Sequence, residues 1–346
     1  MTASPRPRAG VLCAGLIVID LGKVIDAYPA LDGLAMIEQV SMSTGGSALN
    51  MAVDLRLLGA TFPVGLVGVV GDDEHGAFVL DECVRLGIDT AGVERLSGTA
   101  TAFTDAMVER DGDRRTFFHH VGANALFDGA TADLEGSDAR ILHAGPPGLH
   151  PGMDGRAAGG GNGWSALLER ARAAGLHTNL ELVSLDRDRV AELALPCLPY
   201  LDSIVVNEVE AGALTGIDAP VPGADGPVDW PALEAMALGL LERGVSKLAV
   251  VHFPAGAVAA APGGQTWRQD SVRLSREEVR STTGAGDAFA AGVLFGLHGG
   301  WPVDRCLQLA TASAATSVRS SHTSEGIRPA DVCLAEADAA GYRRIG

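Results

Sequence analysis

Ser281-Thr282-Thr283-Gly284-Ala285-Gly286-Asp287-Ala288-Phe289 decides how the rest of this chain is read. A turn of small residues runs directly into an apolar, helix-forming run over 288–297, with one carboxylate at the junction. Gly284, Ala285 and Gly286 offer successive backbone N–H groups at the positive end of that helix, a pocket for a phosphate or a developing oxyanion. Asp287 stands beside whatever occupies the pocket. An anion cradle with a base next to it is the minimum equipment for moving a phosphoryl group onto a hydroxyl. The same residues also admit a plainer reading, a Gly-rich turn with Asp287 capping the helix.

A second Gly-rich element tips the balance. Thr44-Gly45-Gly46-Ser47-Ala48-Leu49-Asn50 also precedes a helical pattern, with Leu49, Val53, Leu57 and Leu58 on its apolar face and Gly59 closing it. Two such turns, with Asn50 and Asp287 just inside their helices, fit one shared site better than two separate accidents.

These residues resemble the ribokinase, or PfkB, carbohydrate kinase family. The run from Gly45 through Asn50 to Leu58-Gly59 is similar to its N-terminal signature, and Thr282 to Phe289 to its C-terminal one. Between them, in the family's order, stand Gly71-Asp72-Asp73, Gly122-Ala123-Asn124 and Asn207-Glu208-Val209-Glu210. The likeness spans roughly residues 11–329. It implies a ribokinase-like α/β fold over 1–346 as a single domain, with a small β lid from about 16–43 and 102–120. It further implies ATP-dependent phosphorylation of a small sugar, and a lid that in many members supports a homodimer contact.

Composition agrees with an enzyme of this type. The chain has 346 residues, 47% hydrophobic and 20% charged, enough to bury a large core. A net charge of -17 argues against a nucleic-acid partner, because phosphate backbones need clustered Lys and Arg. Cys13, Cys83, Cys197, Cys306 and Cys333 are scattered with no C-x-x-C pair, which reads as free core thiols in a reducing cytoplasm. Arg6 and Arg8 ahead of the apolar run 9–19 have the outline of a signal peptide, but Asp20 and Lys23 follow at once, so the run reads as a buried first strand. No stretch reaches the roughly 20 apolar residues a membrane span needs.

Alternating strand and helix patterns over 64–86, 141–193 and 203–251 predict a mostly parallel sheet with helices on both faces. The Gly-rich stretch 152–163 reads as a mobile surface loop. Residues 102–110 and 114–120 read as a hairpin around Asp111-Gly112-Asp113, which with 16–24 and 36–43 builds the lid. A lid would keep water away from the phosphoryl donor.

Roles follow for individual residues. Asp287 is the expected base; its helix N-terminal position predicts a lowered pKa, tolerable because a loose transition state gives up the proton late. Gly284, Ala285 and Gly286 supply the anion hole. Asp20, just past the first strand, lies where open α/β sheets bind ligands; the resemblance makes it a sugar ligand, with Gly45, Gly46, Asn50 and Asn124 around it. Asn207 and Glu210 share one side of a first helical turn and suit Mg²⁺, chiefly through water. Asn207, Thr283 and Ser313 are the expected nucleotide contacts, with the helix over 304–318 walling the adenine. Ser281 replaces a frequent family Asp, which puts a monovalent-cation site in doubt, and Ser47 replaces a frequent Lys, which speaks against strict ribose specificity. Glu181 is a further candidate near the phosphates or metal. Phe103, Phe117 and Phe118 near the lid keep a nucleoside kinase of the same fold as the alternative, and a non-catalytic sensor stands behind it.

Overall fold

A computed structural model describes residues 8–110, 114–157, 160–219, 227–320 and 323–343. In chain order the strands and helices are β1 (Gly10–Gly15), β2 (Val18–Ile25), β3 (Ile37–Gly45), α1 (Ser47–Leu57), β4 (Val64–Gly71), α2 (Glu74–Leu86), β5 (Asp89–Leu96), β6 (Phe103–Glu109), β7 (Arg115–His120) and β8 (Ala139–Gly145). There follow α3 (Pro151–Asp154), α4 (Gly163–Ala173), β9 (His177–Leu180), α5 (Arg187–Ala194), β10 (Ser203–Asn207), α6 (Glu208–Thr215), α7 (Trp230–Glu242) and β11 (Leu248–Phe253). The chain closes with β12 (Gly256–Ala261), β13 (Gln265–Asp270), α8 (Ala285–His298), α9 (Val303–Ser317) and α10 (Ala330–Ala340).

Nine strands form one sheet in the order β13-β12-β11-β10-β9-β8-β1-β4-β5. Pairing is parallel from β11 across to β5, and antiparallel for β12 and β13 at one edge. Strand alternation sends successive side chains to opposite faces. Val11, Val205 and Val250 thus join the core under α1, α8 and α9, while Ala14, Ile204 and Val251 join the one under α4, α6 and α7. Both faces are covered, as a parallel sheet requires.

The chain leaves this sheet at Leu16-Ile17 and builds a second, four-stranded sheet in the order β3-β2-β6-β7. Its strands use the segments expected to build a lid, with β3 running past residue 43 to Gly45. The turn residues Asp111, Gly112 and Asp113 lie outside the described residues.

Local chemistry explains the helix ends that shape the site. Asp73 caps α2 by accepting from the Gly76 amide, and Gly87 at φ 66° ends it. Gly284 opens α8 at φ 80°, where a Cβ would sit 2.9 Å from the Thr323 carbonyl oxygen. The Gly-rich stretch 152–163 differs from expectation. It contains α3 and the Arg156–Asn162 bridge, and Asn162 is buried, capping α4 and donating its amide to the Leu193 carbonyl at 2.7 Å. A polar cap that reaches a neighbouring helix is anchored, and composition alone does not show that. All five cysteines are free and buried. No helix among the described residues is long and apolar enough to cross a membrane.

Candidate active site

The C-terminal ends of β1, β8, β9 and β10 face the N-termini of α1 and α8, and Asp20, Asn50 and Asp287 come together there. Asn50, in the first turn of α1, donates from Nδ2 to Asp287 Oδ2 at 2.6 Å. That bond joins two Gly-rich turns 237 residues apart in sequence. Gly46, at φ 89°, lets α1 start against the Leu16 carbonyl, 2.6 Å from where a Cβ would lie. Gly45 leaves room for Asp20, whose Oδ2 would be 2.2 Å from a Cβ.

Asp287 corrects one expectation. Its carboxyl is pushed well above the ordinary range instead of below it, because burial and the neighbouring Glu181 outweigh the helix N-terminus and the Asn50 amide. The Asp287 and Glu181 carboxyls lie close enough to act on each other's titration, and burial raises Glu181 to about 7. Glu181 Oε2 lies 2.8 Å from His143 Nε2, and His143 Nδ1 lies 2.8 Å from Asn179 Oδ1. Burial lowers His143 to about 4, so the imidazole is neutral and one ring nitrogen donates while the other accepts. Asn179 continues the chain to Ser203 Oγ at 3.1 Å. Asp287 is therefore the outer end of a polar network rooted in β8, β9 and β10. Such coupled carboxyls titrate as a pair.

The anion cradle differs in detail from the sequence reading. The Ala285 amide turns back onto the Thr282 carbonyl at 3.3 Å. The Gly284 and Gly286 amides make no backbone or side-chain hydrogen bond among the described residues and stay available. His252, at the end of β11, stands beside them, since a Cβ on Gly286 would be 3.7 Å from its Cε1. His252 is tilted against Phe289 with ring centroids 4.9 Å apart, and burial lowers it to about 4.

Asp20 lies at the lid end of the site, raised to about 7 by burial and then by the charge of Asp287. Asn124 is fully buried; its Nδ2 donates to the Ile17 carbonyl at 2.9 Å, and its Oδ1 has no partner among the described residues. It braces the β1-to-β2 crossover. Across the lid, Asp20 pairs with Ser43 and Thr104, and Thr104 with His119. Arg115, Phe117 and His119 therefore share Asp20's face of the lid, while Phe118 points the other way. A cavity of about 350 Å³ lies between that face and the 280–283 loop, lined by Asp20, Ser41, Ser43, Arg115, Arg280 and Thr283. Arg115 latches the lid to the loop, donating to Thr283 Oγ1 at 2.7 Å and Ser281 Oγ at 3.2 Å.

Asn207 and Glu210 form a reciprocal capping box at α6: Asn207 Oδ1 accepts the Glu210 amide at 2.8 Å and Glu210 Oε2 accepts the Asn207 amide at 3.0 Å. Burial raises Glu210 to about 7. Its Oε1 has only a long contact, 3.4 Å, with the Ser184 hydroxyl. Ser313 is not brought to the site. It is fully buried in α9 with its hydroxyl on the Leu309 carbonyl at 2.8 Å, as serines inside helices commonly bond four residues back.

Sequence reasoning missed His143, Arg115 and Asp54. Asp54, one turn after Asn50 in α1, is fully buried, and burial drives its carboxyl well above the ordinary range. The available signal was polar residues inside otherwise apolar runs, His143 in β8 and Asp54 in α1.

The profile of the pfkB family carbohydrate kinases matches residues 8–330. An ATP-dependent ribose-1-phosphate kinase of Halopiger xanaduensis is 29% identical over 305 residues, covering 88% of this chain and 90% of that protein. A 5-dehydro-2-deoxygluconokinase of Shouchella clausii is 26% identical over 333 residues, covering 90% and 92%. Among solved structures, Arabidopsis thaliana ribokinase complexed with ribose and ATP superposes with a TM-score of 0.77 at 20% identity, covering 95% of this chain and 98% of that one. The chain belongs to the pfkB family of carbohydrate kinases, with the ribokinase-like α/β fold, and is a sugar phosphotransferase.

Proposed function

We propose that the protein moves the γ-phosphoryl group of ATP onto a hydroxyl of a small sugar held under the lid by Asp20, with Asp287 as the base. The observation that supports this most is the 2.6 Å bond from Asn50 to Asp287, which holds the α8 carboxylate against the acceptor side of the cleft. The acceptor hydroxyl oxygen forms a bond to the γ-phosphorus as the bond from that phosphorus to the bridging oxygen of ADP breaks. The hydroxyl proton passes to Asp287, and ADP leaves with the bridging electron pair. The Gly284 and Gly286 amides face the phosphoryl oxygens, so their dipoles meet the charge where it gathers. Asp287 must be ionised to accept the proton, and burial followed by the neighbouring Glu181 raises the pH at which it is.

A divalent cation fits the donor side. Glu210 is a buried carboxyl with a raised pKa and one oxygen in only a long contact, so a cation or its water shell would satisfy it. Asn207 Oδ1 already accepts the Glu210 amide, which favours contact through water. When bound, Mg²⁺ neutralises charge on the donor phosphates. Thr283 and Asn207 border the nucleotide in this reading.

The nucleoside alternative is the weaker fit. Phe117 does face the pocket, but Phe118 lies on the opposite face and Phe103 packs on His120 at 5.1 Å, so no two-ring clamp forms among these residues. The outward lid face exposes Val40, Met42 and Phe118, at 68%, 45% and 58%, a patch that a second copy would cover, so the protein is read as a lid-paired homodimer. Lid and main sheet are read as one kinase unit. Five buried thiols and no disulfide suit the cytoplasm.

A coupled ADP-release assay over sugars, sugar derivatives and nucleosides tests the reading. Acceptor-dependent ADP formation that stops when Mg²⁺ is chelated is expected for a sugar. Turnover confined to nucleosides would overturn it.

A further inference from the structure

Resting on the sugar-kinase reading above, we infer that the acceptor is a sugar that already carries a phosphate monoester, held by Arg115 and Arg280 where the acceptor cavity meets the lid.

The charge balance of this cavity is the reverse of the molecule's. The chain carries 26 Lys and Arg against 43 Asp and Glu. Yet the cavity brings together the guanidiniums of Arg115 and Arg280, with Asp20 as its one carboxylate among the described residues. Lys23 also borders it, but is paired with Asp105. Among the described residues the Arg115 side chain bonds only to the hydroxyls of Ser281 and Thr283, which are neutral. The Arg280 side chain has no hydrogen-bond or ion-pair partner among the described residues, although its backbone is fixed by the Val318 carbonyl at 2.7 Å. Both arginines are exposed, so water screens them when the cavity is empty, and an anion that enters it meets two positive charges without a protein carboxylate paired to either. A phosphate dianion matches both charges, and the planar forks suit its oxygens. The hydroxyls of Ser41 and Ser43 line the same cavity and are neutral donors that add hydrogen bonds without competing charge.

Spacing agrees. Along β2, Asp20 pairs with Thr104, and Val24, four residues on, pairs with Val108, which pairs with Arg115. At about 3.3 Å per residue the two rows stand about 13 Å apart along the strand. The Arg115 side chain leaves that row to bond Thr283 Oγ1 at 2.7 Å, in the loop that leads into α8. A neutral sugar would engage Asp20 and leave both guanidiniums without a counter-charge.

The test compares kcat/KM for a pentose or hexose phosphate, its unphosphorylated parent and the corresponding sugar acid, in the wild type and in Arg280→Ala and Arg280→Lys. Arg280 is exposed, so these variants should fold, and circular dichroism checks it. The inference expects the phosphate ester to exceed the parent at least about tenfold, with Arg280→Ala cutting that ratio about tenfold to a hundredfold through the acceptor KM and not the ATP KM. Arg280→Lys should recover part of the ratio, and inorganic phosphate should compete with the acceptor. Preference for the parent or the sugar acid, or a change confined to the ATP KM, would overturn it. If no acceptor releases ADP, calorimetric binding of the phosphate esters decides alone. Binding lost in Arg280→Ala upholds the anion site while the kinase reading falls; no binding to the wild type overturns the anion site.

Discussion

Asn50 Nδ2 lies 2.6 Å from Asp287 Oδ2, and through that one bond the N-terminal and C-terminal glycine turns become a single site. The Asn50 amide is the one hydrogen-bond donor that lowers the Asp287 pKa, against burial and Glu181, which raise it. Asn50 is thus a positioning residue that holds the carboxylate's direction and also makes it easier to ionise.

Asn50→Ala should therefore lower kcat by about tenfold to a hundredfold, the scale of a hydrogen bond to a charged group. It should also move the acid limb of the kcat/KM profile to higher pH. Steady-state kinetics over a pH series reads both. A fall in kcat with an unmoved limb would mean that Asn50 only packs α1.

Glu181→Gln should act with the opposite sign. Removing the like charge next to Asp287 lets it ionise at lower pH, so the acid limb moves down. His143, 2.8 Å from Glu181 Oε2, keeps a partner in the Gln side chain, so the network stays closed. A limb that stays put would show that the two carboxyls titrate independently.

Much of this site could be read from the chain because glycine, asparagine and aspartate at fixed offsets carry backbone meaning. Gly45, Gly46 and Gly284 each stand where a Cβ would strike Asp20, Leu16 or Thr323, so their identity reports a geometric demand. The parallel sheet was legible because its central strands run apolar, as burial on both faces requires, and the second sheet because β-like runs flank an Asp-Gly-Asp turn. What was not legible was partnership. His143 looks like any polar residue in an apolar strand until β9 places Asn179 and Glu181 beside it. The Asp287 pKa went wrong in the same way: a helix N-terminus is visible in sequence, and a carboxyl packed against it from another strand is not. The β12–β13 edge hairpin escaped notice because β12 is mostly Ala and Gly, and β13 mixes Thr and Trp with Gln, Arg and Asp, so neither has a clear strand pattern.

Asp20 makes the stability of the ligand-free protein depend on pH. Its folded pKa, about 7, lies above the ordinary value of about 4, so between those values the folded state holds a proton that the unfolded state has released. Its contribution is complete below about pH 4 and is lost as pH rises through about 7. His143, His150, His177 and His252, each lowered to about 4, act in the other direction between about 4 and 6.5. The difference between Asp20→Asn and wild type isolates the carboxyl: the variant's Tm should gain on the wild type from pH 5 to pH 8. Scanning fluorimetry at both pH values checks this, and a difference that is flat or shrinks would contradict it.

If the Asp287 carboxylate takes the acceptor proton, Asp287→Asn removes that step alone, because the amide can still accept from Asn50. Single-turnover ADP formation, measured beside calorimetric binding of the acceptor, separates chemistry from assembly. The chemical step should fall roughly 10²–10⁴-fold while acceptor affinity changes only a few-fold. An unchanged chemical step, or a loss of binding as large as the loss of rate, would show that the carboxylate caps a helix and does not take the proton.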